Sequence, residues 1–215
     1  MNATFSFYLF TNMREIQNLI FNIDEQLLLF INGLHFPFGD ILMWQFSGNL
    51  FWLPFYILLL EILIKRLGAR KGIICILVLT FMIFCTDQIG ASIIRPVICR
   101  LRPSSPMNPV SQFLYFVNDY RGGSFGFPSC HAANTFALST FLTLILKTHW
   151  LRISLLIWAV LVSGSRIYLG LHYPTDIIGG MFLGILMGFN FYLLYKLVIN
   201  TKMQYSLNNI LSKRI

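Results

Sequence analysis

The chain has 215 residues, of which 56% are hydrophobic and only 11% charged. Soluble domains carry about a quarter charged residues, so this composition points to an integral membrane protein. The net charge of +8 falls mostly at the ends of apolar runs rather than in one basic patch, which sets nucleic-acid binding aside. Cys75, Cys85, Cys99 and Cys130 have neither paired spacing nor the density of a disulfide framework.

In chain order, the N-terminus lacks the basic stretch, short apolar core and small-residue cleavage site of a removable signal peptide. Residues 16–47 mix apolar clusters with Asp24, Glu25, Asn32, His35 and Asp40. They read as interfacial amphipathic helices, with a sixth membrane span as the alternative. Five apolar segments then approach the roughly 20 residues that a spanning helix needs: 49–64, 72–94, 128–146, 150–170 and 174–198. The expected fold is all-α, a polytopic transmembrane helix bundle. Residues 1–48 form the amphipathic N-terminal part, 49–200 the membrane domain and 201–215 a tail.

Five spans sort the connections onto two sides. One side receives ten Lys or Arg: Lys65, Arg66, Arg70, Lys71, Lys147, Arg152, Lys196, Lys202, Lys213 and Arg214. The other receives six arginines and no lysine: Arg14, Arg95, Arg100, Arg102, Arg121 and Arg166. The positive-inside rule assigns the first side to the cytoplasm.

The parity of the spans brings three segments to the other side. They are Arg95 to Pro103, Phe127 to Asn134, and Ser165 to Asp176. Arg95, Arg102 and Arg166 stand there without enough local carboxylates to pair them, and the planar guanidinium fork suits phosphate oxygens. His131 follows Pro128-Ser129-Cys130 at a helix start, where free backbone N–H groups favour an anion. Pro174 fits a first helical turn, which puts Asp176 four residues after His172 and within reach of its imidazole. A carboxylate on one ring nitrogen fixes the tautomer and frees the other to attack. These groups suggest phosphoryl transfer through a phosphohistidine.

The spacing Arg95, six residues, Arg102-Pro103; then Pro128-Ser129-Cys130-His131; then Ser165-Arg166, five residues, His172, three residues, Asp176 resembles the three-part signature of the type 2 phosphatidic-acid phosphatase family. That family includes membrane lipid phosphatases and the related vanadium haloperoxidases. The chain differs from it in having Arg95 where Lys is usual and Cys130 where Gly is usual. The resemblance implies that His172 is the nucleophile, Asp176 orients it and His131 is the general acid. It further implies that Arg95, Arg102, Arg166, the Ser129 hydroxyl and the Cys130 N–H bind the phosphoryl oxygens. No metal or organic cofactor is implied, and no obligatory protein partner is evident.

Around this set, Asp87 lies two turns before Arg95. It is either a support for a catalytic arginine, with Ser165 as a second such support, or a polar contact between helices. Arg14, Arg100 and Arg121 are expected to snorkel to headgroups, and His35 and His149 to be structural. Glu61 and Lys65 form an i, i+4 pair. Gly180, Gly184 and Gly188 give a smooth face for close helix packing that also carries Asp176. Residues 104–127 make a long connection expected to act as a lid on the periplasmic side.

The reading is a membrane lipid phosphatase of the bacterial inner membrane with its site facing the periplasm. Undecaprenyl diphosphate is the first expected substrate. A lipid A phosphate group and phosphatidylglycerol phosphate follow. The rivals are a lipid phosphotransferase and a non-catalytic lipid or anion carrier.

Overall fold

The computed structural model describes the backbone of residues 3–212 and the side chains of residues 15–201. Eight α-helices follow one another: α1 (Ala3–Asn32), α2 (Pro37–Ser47), α3 (Leu53–Leu67), α4 (Ala69–Gln88), α5 (Arg95–Ile98), α6 (Cys130–Leu146), α7 (His149–Tyr168) and α8 (Pro174–Ser212). Prolines sit in the first turn of α2, α3 and α5, where the missing N–H costs nothing. A π-helical turn, Ile89–Ile94, joins α4 to α5 without a break. No strand forms among the described residues; a single bridge links Leu101 to Phe125.

Three of the helical stretches are long and apolar enough to cross a membrane: Ala69–Ile98, His149–Tyr168 and Pro174–Thr201. The other two expected spans are helices but shorter, 15 residues in α3 and 17 in α6. The reason is plain for α6. Eleven of its residues are buried among its neighbours, so protein rather than lipid surrounds it and its length need not match the bilayer.

The glycine stripe does what its spacing predicts. A Cβ on Gly180, Gly184 or Gly188 would lie 2.4, 2.3 or 2.5 Å from the carbonyl oxygens of Ser129, Ala133 and Ala137. Helices α6 and α8 therefore touch backbone to backbone, and the Ser129 N–H donates to the Asp176 carbonyl at 3.0 Å. That contact fixes the starts of the two helices beside each other. The core continues between α3, α4 and α7 through Leu59, Leu63, Met82, Leu155 and Trp158.

Residues 16–47 are helical as expected, and the sixth-span alternative has the length and hydropathy it needs. Helices α1 and α2 bend by 118° and together are apolar enough for one further span. Asp24 and Asn32, the polar residues that suggested a water-facing side, are buried, while Leu19, Leu27 and Phe30 are exposed. The polarity is turned inside out, as suits a helix whose outer neighbour is lipid. Asn32 binds the Tyr168 and Tyr115 carbonyls through Nδ2, at 2.7 and 3.0 Å, and accepts from the Tyr115 N–H at 2.9 Å.

The connection 104–127 is a folded cap. Val110, Leu114 and Val117 are buried, and Tyr115 stacks on His35 at 4.0 Å. Arg121 is exposed, lies over Phe116 at 4.1 Å and donates to the Ser104 carbonyl. At the other end of the bundle the Glu61–Lys65 pair forms at 2.5 Å on an exposed surface. The expectation for Arg14 concerns a side chain outside the described residues, as do those for Lys202, Lys213 and Arg214.

Candidate active site

Three helix ends and the cap meet at one end of the bundle. The Ser129 hydroxyl caps α6, accepting from the Ala132 N–H at 3.5 Å, which satisfies one of the free amides of the first turn. His131 stands in that turn. The chain leaves α7 through Gly170, held at φ +69°, and reaches α8 four residues later, with His172 in the link and Asp176 in the first turn of α8. The Asp176 backbone and side chain are thus set by the tight α6–α8 contact.

Asp176 is fully buried and each of its oxygens is used. Oδ1 accepts from Arg100 Nη1 at 2.8 Å. Oδ2 accepts from the Tyr173 N–H at 3.1 Å and lies 3.3 Å from His172 Nδ1. His172 is 1% exposed, and its Nε2 has no hydrogen-bond partner. Burial, followed by the charges of Arg102, Arg166 and Arg95, holds the His172 imidazole well below its ordinary pKa. It is therefore neutral at physiological pH, and the tautomer with its proton on the nitrogen facing Asp176 leaves the lone pair on Nε2.

The three expected guanidiniums are present and unpaired. Arg95 donates from Nε and Nη2 to the Pro128 carbonyl at 3.4 and 3.2 Å. Arg102 donates from Nε to the Phe125 carbonyl at 2.9 Å. Arg166 donates to the Ser47 hydroxyl. Among the described residues none of the three has a carboxylate within ion-pair distance. Burial and the neighbouring charge of Arg95 lower the Arg102 pKa, the electrostatic sign of a nest that lacks its anion. Gly122, at φ +73°, lets the cap lie against this nest: a Cβ there would be 2.7 Å from Arg102 Nη1.

Arg95, Arg102, Cys130, His131 and Arg166 line one cavity of about 630 Å³. His172 does not line it; it is buried behind the wall, under Gly126, whose Cβ would fall 3.5 Å from Nδ1. From the cationic end the cavity descends past Asp87 and Asn134 to Ile83, Leu138, Trp158 and Val162. An anion held by the arginines would thus have an apolar compartment beneath it.

Some expectations need correction. Arg100 does not snorkel. Its guanidinium bridges Asp176 and Asp24, binds the Thr175 hydroxyl, and stacks on Tyr173 at 4.3 Å. Asp24 also accepts from the Thr175 N–H at 2.9 Å and from its hydroxyl, so α1 caps α8. Asp87 takes the second of its two expected roles, the polar contact between helices. Its partner is Asn134 Nδ2 at 3.4 Å, because the helix carries its carboxylate to α6 rather than up to Arg95. Ser165 donates to the Val162 carbonyl of its own helix at 2.7 Å and supports nothing in the site. Cys130 finds an explanation in Gly90: a Cβ there would be 3.0 Å from the Cys130 Sγ, so the thiol fills space that the π-helical turn leaves open.

A membrane bundle with a buried His–Asp pair beside an unpaired arginine nest has the build of a membrane phosphatase. The chain belongs to the PAP2 superfamily, whose sequence profile matches residues 72–199. It is 45% identical over 171 residues to the lipid A 4'-phosphatase of Bacteroides thetaiotaomicron, covering 80% of this chain and 76% of that one. It is 30% identical over 178 residues to the lipid A 4'-phosphatase of Porphyromonas gingivalis, covering 82% and 74%. The crystal structure of a transmembrane PAP2-type phosphatidylglycerolphosphate phosphatase from Bacillus subtilis shares the fold, with a TM-score of 0.59 and 24% identity over 92% of this chain and 94% of the other. The protein is a membrane lipid phosphatase of this superfamily.

Proposed function

We propose that the substrate is lipid A, and that the protein removes a phosphate monoester from its sugar at the periplasmic face of the inner membrane. The observation that carries the substrate is the 45% identity, over 80% of the chain, to the lipid A 4'-phosphatase of Bacteroides thetaiotaomicron. It favours lipid A over undecaprenyl diphosphate, the first expectation from sequence. The side facing the periplasm follows from the distribution of Lys and Arg.

The chemistry of these residues supports the following reaction, in which the wall between His172 and the cavity parts so that Nε2 meets the phosphate. The phosphoryl oxygens bind Arg95, Arg102 and Arg166, with the Cys130 N–H at the α6 N-terminus, where the helix dipole adds to the field. His172 Nε2 attacks phosphorus in line with the leaving oxygen. The P–N bond forms as the P–O bond breaks, and His131 gives its proton to the departing sugar oxygen. Asp176 keeps the Nδ1 proton in place and stabilises the positive ring, itself held by Arg100. Water then attacks the phosphohistidine, His131 takes the proton, and P–N cleavage returns His172 with inorganic phosphate. The Ser129 hydroxyl serves as helix cap in this scheme.

Purified protein in detergent, given hexa-acylated lipid A bisphosphate, is expected to release inorganic phosphate and leave a product lacking one HPO3 by mass spectrometry. Release from undecaprenyl diphosphate with none from lipid A would overturn the substrate. A phosphorylated acceptor lipid formed without release of inorganic phosphate would make the protein a phosphotransferase instead.

A further inference from the structure

One turn below His131 the cavity changes chemistry. Asn134 projects from the same face of α6, and Asp87 meets it from α4. Both line the cavity. Their mutual hydrogen bond is long, 3.4 Å, and the Cys130 thiol lies beside Asp87 as its other donor. Asn134 Oδ1 is buried and has no partner. Asp87 thus brings a carboxylate to the cavity wall beside Asn134, whose amide oxygen is buried and unpartnered, directly under three unpaired cations. A pair serving only to join α4 to α6 would satisfy itself, since an unpaired buried acceptor costs its full desolvation.

The direction of the reaction gives these acceptors a place. The leaving oxygen faces His131, so whatever that oxygen belongs to extends along α6 towards Asn134. A carboxylate there repels the phosphate and welcomes a donor. We infer that Asp87 and Asn134 form a subsite for a hydroxyl or amide N–H carried by the leaving sugar, the chemistry of an acylated sugar phosphate. The inference rests on the proposed lipid A phosphatase reading and names how that substrate is chosen. Ile83, Leu138, Trp158 and Val162 continue the cavity as an apolar compartment for acyl carbons. An alkyl or polyprenyl phosphate would fill that compartment and leave the Asn134 oxygen unpaired. A site built to bind a donor discriminates strongly against a ligand that lacks it.

The test is a ratio measured on the full-length protein in detergent. The probes are an N-acylated glucosamine 4-phosphate with long acyl chains and dodecyl phosphate, which has no donor on its carbon chain. Asn134→Leu and Asp87→Leu are expected to lower the sugar-to-dodecyl ratio of kcat/KM by roughly 10- to 100-fold. Residual turnover of dodecyl phosphate shows that the variants fold. Asp87→Asn, which keeps an acceptor, is expected to lose less of the ratio and provides a second measure should either leucine variant fail to fold. If the wild type prefers the sugar and the variants keep its ratio, the subsite is wrong and the substrate reading stands. If the wild type prefers dodecyl phosphate, both are wrong.

Discussion

The two ends of the bundle are both basic, and they use that charge differently. At the end opposite the cavity, Lys65, Arg66, Arg70, Lys71, Lys147 and Arg152 are all exposed; Lys65 pairs with Glu61 in solvent. At the cavity end the cations are all arginines, and Arg102 and Arg166 are 7% and 4% exposed. Exposed charge is screened and marks topology. Charge withdrawn from water is costly unless an ion answers it. Here Arg100 is answered from within, by Asp24 and Asp176, whereas Arg95, Arg102 and Arg166 are left for a ligand. The lesson is that burial without a partner, rather than the number of positive residues, distinguishes a binding end from an anchoring end.

The comparison breaks hardest at the nucleophile. His172→Ala is expected to reduce phosphate release by roughly 10⁴-fold, with normal membrane expression; cellular function surviving that change would revive the non-catalytic carrier. Next comes Arg166→Lys, which keeps the charge and loses the fork, at about 100-fold in kcat. If Lys served as well, charge alone would govern the nest. Asp24→Ala removes a group that touches neither phosphate nor His172 and leaves Arg100 half paired. We expect kcat to fall roughly 10-fold with KM little changed, read from full saturation curves. Cys130→Gly should retain activity and lower thermal stability by about 1–2 kcal/mol, since it opens space beside Gly90. A Cys130→Gly enzyme as inactive as His172→Ala would give the thiol a role in the chemistry. At the anchoring end, Lys65→Gln should leave turnover within about twofold.

The proposed catalytic set is legible in sequence because each part is local. Six residues separate Arg95 from Arg102, three separate His172 from Asp176, and the parity of the spans brings the segments together. What escapes is what lies far apart along the chain. Arg100 is read as a snorkelling residue because its partners are 76 residues away in both directions. Asp24 carries a faint signal, an acid beside Glu25 between Ile23 and Leu27–Phe30, but an interfacial helix explains the same pattern. Asn134 is hidden by its ordinary place in an apolar helix, and only the cavity reveals that it has an unpaired oxygen. Span length misleads for α6 because a helix enclosed by protein loses the bilayer as its ruler.

The bond from the Thr175 N–H to Asp24 joins residues 151 positions apart, and this bears on how the protein is made. During synthesis Asp24 enters the membrane early, while Thr175, His172 and Asp176 are still to be translated. The nucleophile acquires its orienting carboxylate only when α8 closes against α6, and that carboxylate gains its Arg100–Asp24 brace in the same event. Nascent chains with fewer helices would therefore hold an arginine nest without working chemistry. On the proposed scheme, hydrolysis therefore waits for the last helix.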